Sequence, residues 1–184
     1  MSVPELVTLT RDCDASLIPS GARTVIPAGA EVRITQSLGG AYTVWFDGGM
    51  ARIENKDADA LGKVTEAQPA AESTGPALTQ EQIEQRIWTQ MRSCYDPEIP
   101  VNIVDLGLVY DAAVTPQSEG GAKVEVKMTL TAPGCGMGAT IAGDVENRIR
   151  MIPGVGDVVV ALVWDPPWNQ AMMTEAAKLQ LGLM

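Results

Sequence analysis

The chain contains no histidine. That absence rules out a Cys–His or Ser–His catalytic pair and a zinc site built from the usual mixture of Cys and His. Cysteine is nearly as scarce. Cys13, Cys94 and Cys135 are widely spaced, odd in number and never form a CxxC pair, so neither a disulfide framework nor a dithiol redox motif is expected. Aromatic residues are only 4% of the chain, so Val, Ile, Leu, Ala and Met must fill the core. Basic charge is also short, with 13 Lys and Arg against 23 Asp and Glu and no basic cluster, which excludes nucleic acid and anionic membrane as electrostatic partners. No apolar run reaches the ~18 residues of a transmembrane helix. Met1-Ser-Val-Pro-Glu-Leu6 lacks the basic start and apolar stretch of a secretory signal, so a cytoplasmic location is expected.

What is present falls into two parts. Glu66 to Ala77 is small, polar and proline-bearing without periodicity, and reads as a linker. Residues 1–65 are expected to form a small all-β module, with strands at Leu6–Thr10, Glu31–Thr35 and Ala41–Phe46 and turns at Gly39-Gly40 and Asp47-Gly48. Cys13 lies in a polar, turn-like segment and reads as an incidental thiol. Most of the excess acid sits in residues 78–184, which carry 7 basic and 13 acidic residues.

That second part opens on a helix, with a capping box at Thr79 and Gln82, a staple from Leu78 to Ile83, and an apolar stripe at Ile83, Ile87 and Met91. Asp96-Pro97 stops it. Strands are expected over Leu106–Val114 and Lys123–Leu130; the second alternates Val124, Val126, Met128 and Leu130 against Glu125, Lys127 and Thr129. A helix follows with Ile141, Val145 and Ile149 in phase, then a third, more buried strand over Val158–Trp164, and a last amphipathic helix from about Gln170 to Leu181. The order predicts an α+β fold: helix, strand, strand, helix, strand, helix, with helices over a short mixed sheet.

Chemistry concentrates in Thr131-Ala-Pro-Gly-Cys-Gly-Met-Gly138. Glycines allow close backbone approach, and a thiol where a strand gives way to a helix meets unpaired N–H groups and the positive end of the helix dipole. Both lower a thiol pKa from its usual ~8.5, and a thiolate suits a soft metal such as iron. The plainer alternative, a buried small hydrophobe, is how most free cysteines behave. A P-loop would need Gly-Lys-Ser/Thr, and a cysteine phosphatase an arginine closer than Arg148.

Asp96-Pro-Glu-Ile99, Asp105-Leu-Gly-Leu-Val109, Met128-Thr-Leu-Thr-Ala-Pro-Gly-Cys135, Pro153-Gly-Val155 and Asp165-Pro-Pro-Trp168 occur in order. Together they resemble the metal–sulfur cluster assembly domain family, to which PaaD-like proteins of the phenylacetate pathway belong. Thr35-Gln-Ser-Leu-Gly-Gly40 and Asp57-Ala-Asp-Ala-Leu-Gly62 are similar to its SufT branch, as is Gly136 in place of a proline after the cysteine.

The resemblance implies a non-enzymatic factor that assembles or delivers iron–sulfur clusters, with assembly proteins and client apoproteins as partners. It implies a reactive thiol at Cys135, an acidic pair, Asp96 and Glu98, folded near it, and Thr131 and Trp168 lining the same region. The residues alone leave other roles open: a helix-stop turn for Asp96 and Glu98, core packing for Trp168, and a turn or cap for Asp105. A cluster usually takes four protein ligands, and one chain offers Cys135 and at most Cys94. The expectation is therefore a labile iron–sulfur cluster shared across a homodimer, or no stable cluster and an adaptor role. The alternative is an accessory subunit of an oxygenase complex of the phenylacetate-pathway type; a thiol-redox enzyme is the third reading.

Overall fold

A computed structural model describes residues 5–64, 78–118, 121–134 and 136–183. The expected linker at 66–77 and Cys135 itself lie outside the described residues. The architecture is mixed α/β, with a large antiparallel sheet, a small mixed sheet and helices. The chain divides into two compact units. Of the described residues the first takes 5–64, 97–100 and 136–137, and the second the remainder.

The first unit holds six strands: β1 (Glu5–Thr8), β2 (Cys13–Ile18), β3 (Arg23–Ile26), β4 (Glu31–Leu38), β5 (Ala41–Phe46) and β6 (Gly49–Ile53). They form one sheet in the order β1-β4-β5-β6-β2-β3, antiparallel throughout. Both expected turns are present. Gly39 and Gly40 have φ of 64° and 76°, and Asp47 and Gly48 have 48° and 80°, the left-handed pairs that tight hairpins require. β2, β3 and β6 had no clear alternation of large apolar residues. β2 turns only Cys13 and Ala15 inward before Ile18, and β6 carries Arg52, so their inward sets are too small or too polar to stand out. Cys13, expected in a turn, is instead fully buried in the core with Ile26, Val32, Val44 and Ile53. A 3-10 helix at Asn55–Leu61 closes the unit, ending on Gly62 at φ 67°. Arg11 fastens it, donating to Asp57 at 3.0 Å and to Asp59 at 2.6 Å.

The second unit begins with α1 (Gln80–Met91). The capping box is made: Gln82 N–H donates to Thr79 Oγ1 at 3.3 Å, and Thr79 N–H to Gln82 Oε1 at 3.0 Å. Ile83, Ile87 and Met91 are its buried stripe. Strands β7 (Val109–Pro116), β8 (Ala122–Met128) and β9 (Val155–Leu162) form a sheet in that order, β7 antiparallel and β9 parallel to β8. Between β8 and β9 runs α2 (Gly138–Arg150), burying Ile141, Val145 and Ile149.

Three details differ from expectation. β7 starts at Val109, because Asn102 to Leu108 is held in turns by local hydrogen bonds. β9 is an edge strand and mostly exposed, with Val158, at 6% exposure, its one buried residue. The last helix is split into a 3-10 turn at Gln170–Met172 and α3 (Glu175–Gln180). Asn169 caps the first piece and Thr174 the second, accepting from Ala171 N–H at 2.9 Å and Ala177 N–H at 3.2 Å respectively, so two local caps win over one continuous amphipathic pattern.

Candidate functional site

The segment Asn102–Val109 is built as a rigid turn. Asp105 N–H donates to Asn102 Oδ1 at 2.9 Å, and Asn102 Nδ2 donates to Asp105 Oδ2 at 2.6 Å. Leu106 N–H, Gly107 N–H and Leu108 N–H close successive turns on Asn102, Val104 and Ile103. Ile103, Leu106 and Leu108 are fully buried, so the turn is anchored by its apolar side chains. Asp105 is thus a turn-forming residue in this fold.

The later motif folds back onto this turn. Trp168 Nε1 donates to the Leu106 carbonyl at 2.8 Å, Thr174 N–H to the Asp105 carbonyl at 2.9 Å, and the Tyr110 hydroxyl to the Pro166 carbonyl at 2.7 Å. Gly107 has φ 72°, and a Cβ there would overlap the carbonyl of Met172. Segments about sixty positions apart are therefore brought together, and Trp168, half-buried, is a clamp on the turn. Trp168→Phe keeps an aromatic ring but removes the donor. We expect it to lower stability by about 1–2 kcal/mol, read as a fall in the urea midpoint at constant m-value.

At the far end of β8 the chain enters the cysteine loop. Thr129 N–H donates to the Leu108 carbonyl at 2.8 Å. Thr131 is half-buried, and Ala132, Pro133, Gly134 and Gly136 are exposed. Gly134 takes φ 84°. The helix α2 then starts on Gly138, where a Cβ would stand 2.6 Å from Leu130 Cδ1, so its first turn seats on the end of β8. No acidic residue lies in that first turn, so the helix itself supplies no counter-charge to the positive end of its dipole.

The other expected site residues are placed as follows. Asp96 is buried and Glu98 exposed. Cys94 is 2% exposed, its thiol donating to the Gln90 carbonyl at 3.7 Å, and the Cys94 carbonyl accepts from Ile103 N–H. Among the described residues no group of three or more His, Cys, Asp or Glu is arranged to hold a metal ion. Thr129 was not expected as a site residue. Alternation assigns it to the polar face with Glu125 and Lys127, yet it is 1% exposed and its hydroxyl has no hydrogen-bond partner among the described residues. Such a buried orphan calls for an explanation, and no signal in the sequence distinguishes it.

Residues 84–162 match the model of a family described as "Iron-sulfur cluster assembly protein". Over 105 residues the chain is 44% identical to an Fe-S protein maturation auxiliary factor of Porphyromonas gingivalis, covering 56% of this chain and 94% of the relative. The chain belongs to this iron–sulfur cluster assembly family. The Fe-S protein maturation auxiliary factor SufT of Staphylococcus aureus is 44% identical over 88 residues, which are 48% of this chain and 96% of that one. A solved domain of unknown function from Bacillus anthracis is 37% identical with a TM-score of 0.50, and covers 59% of this chain and all of its own.

The family match spans Cys94, Asp96, Glu98, Thr131 and Cys135 and stops short of Trp168. Residues 5–64 lie outside it. No helix among the described residues is long and apolar enough to cross a membrane. In the first unit burial, followed by the charge of Asp57, pushes the Cys13 thiol up to about 11. Alkylation of the native protein at pH 8 is therefore expected to leave Cys13 unmodified while Cys135 reacts, as read by peptide mass spectrometry. Equal labelling of the two would contradict the assignment of reactivity.

Proposed function

We propose that this protein is a non-enzymatic, cytoplasmic maturation factor for iron–sulfur proteins, delivering clusters or docking client apoproteins through a thiolate at Cys135. The observation that carries the reading is the 44% identity over nearly the whole of a maturation auxiliary factor. Residues 78–184 are its working domain, and residues 1–65 a separate module joined by the 66–77 segment. The cluster is cargo, held by ligands that must let go.

Local structure supports this. The loop before α2 is exposed on either side of position 135, and the acid-free first turn of α2 favours a thiolate near it. Cys94 is enclosed and engaged with Gln90, which fits a packing role better than ligation. One chain then supplies a single free thiolate where a cluster takes about four ligands. The cluster is either shared across a homodimer or passed on without stable binding. Asp96, Glu98, Thr131 and Trp168 are supporting residues in this proposal, Trp168 by holding the Leu106 turn.

Deleting the gene tests the reading. Iron–sulfur enzyme activity in the deletion strain should fall while the amount of each apoprotein stays constant, and a plasmid copy should restore it. Anaerobic purification with iron and sulfide analysis separates carrier from adaptor. Unchanged client activities, with the chain co-purifying with a hydroxylase, would replace this reading by the oxygenase-subunit one, which finds no support among the relatives above.

A further inference from the structure

Sheet edges invite added strands unless they are guarded by charge, proline, bulges or cover. Among the described residues, three of the four sheet edges are guarded. In the first unit β1 carries Glu5, whose carboxylate holds Lys63 at 2.6 Å, and β3 is four residues long and begins with Arg23. In the second unit β7 has a bulge between Val109 and Asp111, ends in Pro116, and has its Val114 carbonyl capped by Gln80 Nε2 at 3.3 Å. β9 has such devices only at its start, where its register shifts between Val155 and Val158 and it carries Asp157. From Val158 to Leu162 it has no charge, proline or bulge, and it pairs only with β8 among the described residues. From Val158 to Leu162 it runs in unbroken register with Val124 to Met128.

The direction of its backbone groups follows from one bond. Val163 N–H donates inward to the Met128 carbonyl at 2.8 Å. Alternation along the strand points Ala161 and Val159 inward as well, and turns the N–H and C=O groups of Val158, Val160 and Leu162 away from the sheet. This free edge is apolar: Val159 is 47% exposed and Trp164, just beyond the strand, 46%. Residues 151–177 include Asp157, Asp165 and Glu175 and not one Lys or Arg.

We propose that the β9 edge, Val158–Leu162 with Trp164 at its end, is a docking strand that takes an extended segment of a partner polypeptide, apolar in the middle and basic at its ends, by strand addition. Main-chain bonds to Val158, Val160 and Leu162 supply the affinity in this recognition mode, and side-chain contacts supply the choice of partner. Charge selects the occupant. Along the chain the edge lies between Asp157 and Asp165, the neighbouring Lys127 on β8 is answered by Asp111 at 3.9 Å, and the net charge is −10, so two copies repel where a basic segment is attracted. The proposal gives the maturation role a physical place for a client or assembly partner. Its test reads binding alone, so it stands or falls separately from iron–sulfur delivery.

The test uses the full ¹⁵N-labelled chain and a ten-residue peptide of alternating Val and Thr with two Lys at each end. With saturating peptide, amide exchange at Val158, Val160 and Leu162 should slow by about tenfold or more, while Val159 and Ala161, already bonded to β8, change little. A version of the peptide with Glu at its ends, or the Val159→Lys protein, should bind about tenfold more weakly. Val160→Pro removes an outward N–H and should abolish binding; a proline is tolerated on the open side of an edge strand. If it unfolds the protein, the Glu-ended peptide and Val159→Lys decide. The proposal fails if the three outward amides do not respond, if protection appears on β1 or β3, or if Val159→Lys binds as the parent does. It also fails if the same amides become protected without peptide as protein concentration rises, which would make the occupant a second copy.

Discussion

The Cys135→Ser protein is expected to fold as the parent does and to restore client enzyme activity in a deletion strain at least tenfold less well, because in the proposed role the change removes the thiolate while keeping the size of the side chain. Serine keeps the size and the polar atom of cysteine but stays protonated at neutral pH, and its oxygen is a poor match for iron beside sulfide, which prefers soft thiolate ligands. The neighbouring Pro133, Gly134 and Gly136 are exposed, so the substitution is expected to cost the fold little. The thermal midpoint should therefore move by no more than about 2 °C, consistent with a stability change of a few tenths of a kcal/mol. Client activity must be normalised to client protein, since an unmatured apoprotein is also degraded. Full restoration by Cys135→Ser at equal expression would remove Cys135 from the mechanism and leave the family's role to other residues. A carrier and an adaptor then part company in the iron analysis. A carrier loses bound iron and sulfide with the thiol, whereas an adaptor shows neither in the parent nor in the variant.

How far the fold could be read from the chain depended on which element was read. α1, α2 and β8 have long, clean periodicities of large apolar residues, and the buried sets of the structure are those the periodicity selects: Ile83, Ile87 and Met91; Ile141, Val145 and Ile149; Val124, Val126 and Met128. The elements that escaped notice bury small or polar residues. Cys13 and Ala15 face inward on β2, and Arg52 is buried on β6 beside Glu54, at 3.2 Å. A pattern rule keyed to large aliphatic residues cannot see them. β9 misleads in the opposite sense. Its run of valines suggests a strand covered on both faces, yet the sheet ends there and the run lies along an open edge.

The candidate site divides in the same way. Motif order marks the candidate segments, but what joins Asp105–Leu106 to Trp168 and Thr174 is tertiary. Nothing in the sequence of Asp165-Pro-Pro-Trp168 says that its indole will donate to the Leu106 carbonyl, because the bond spans the sheet connection and not a local repeat. Thr129 shows the limit from the other side. Its place in the alternation predicts exposure, and only its neighbours in three dimensions enclose it. Asp96 and Glu98, two positions apart in one motif, differ sharply in burial, and an Asp-Pro turn in the sequence gives no warning of that.

Gly107→Ala should be among the most damaging single-atom additions to this protein, and it separates two costs that are usually confounded. Gly107 has φ 72°. An L-residue in that left-handed region costs about 1–2 kcal/mol through the clash of its Cβ with the local backbone. The added methyl group would also overlap the Met172 carbonyl, which is backbone and cannot rotate aside. Met172 can yield only by moving the segment that carries Trp168 and Thr174, both bonded to the same turn. Overpacking of this kind costs about 1–3 kcal/mol more. Gly134→Ala is the control, because Gly134 has φ 84° but, its chain neighbours aside, no described residue has an atom within 4 Å of the place its Cβ would occupy. It should show the conformational cost alone, near 1 kcal/mol, where Gly107→Ala shows about 2–5 kcal/mol. Urea titrations give both values. Near-ultraviolet circular dichroism should change for Gly107→Ala alone, because Trp168 loses its fixed position. If the two substitutions cost the same, the turn and the later segment are not packed as tightly as the Gly107–Met172 approach requires, and the clamp assigned to Trp168 fails with it.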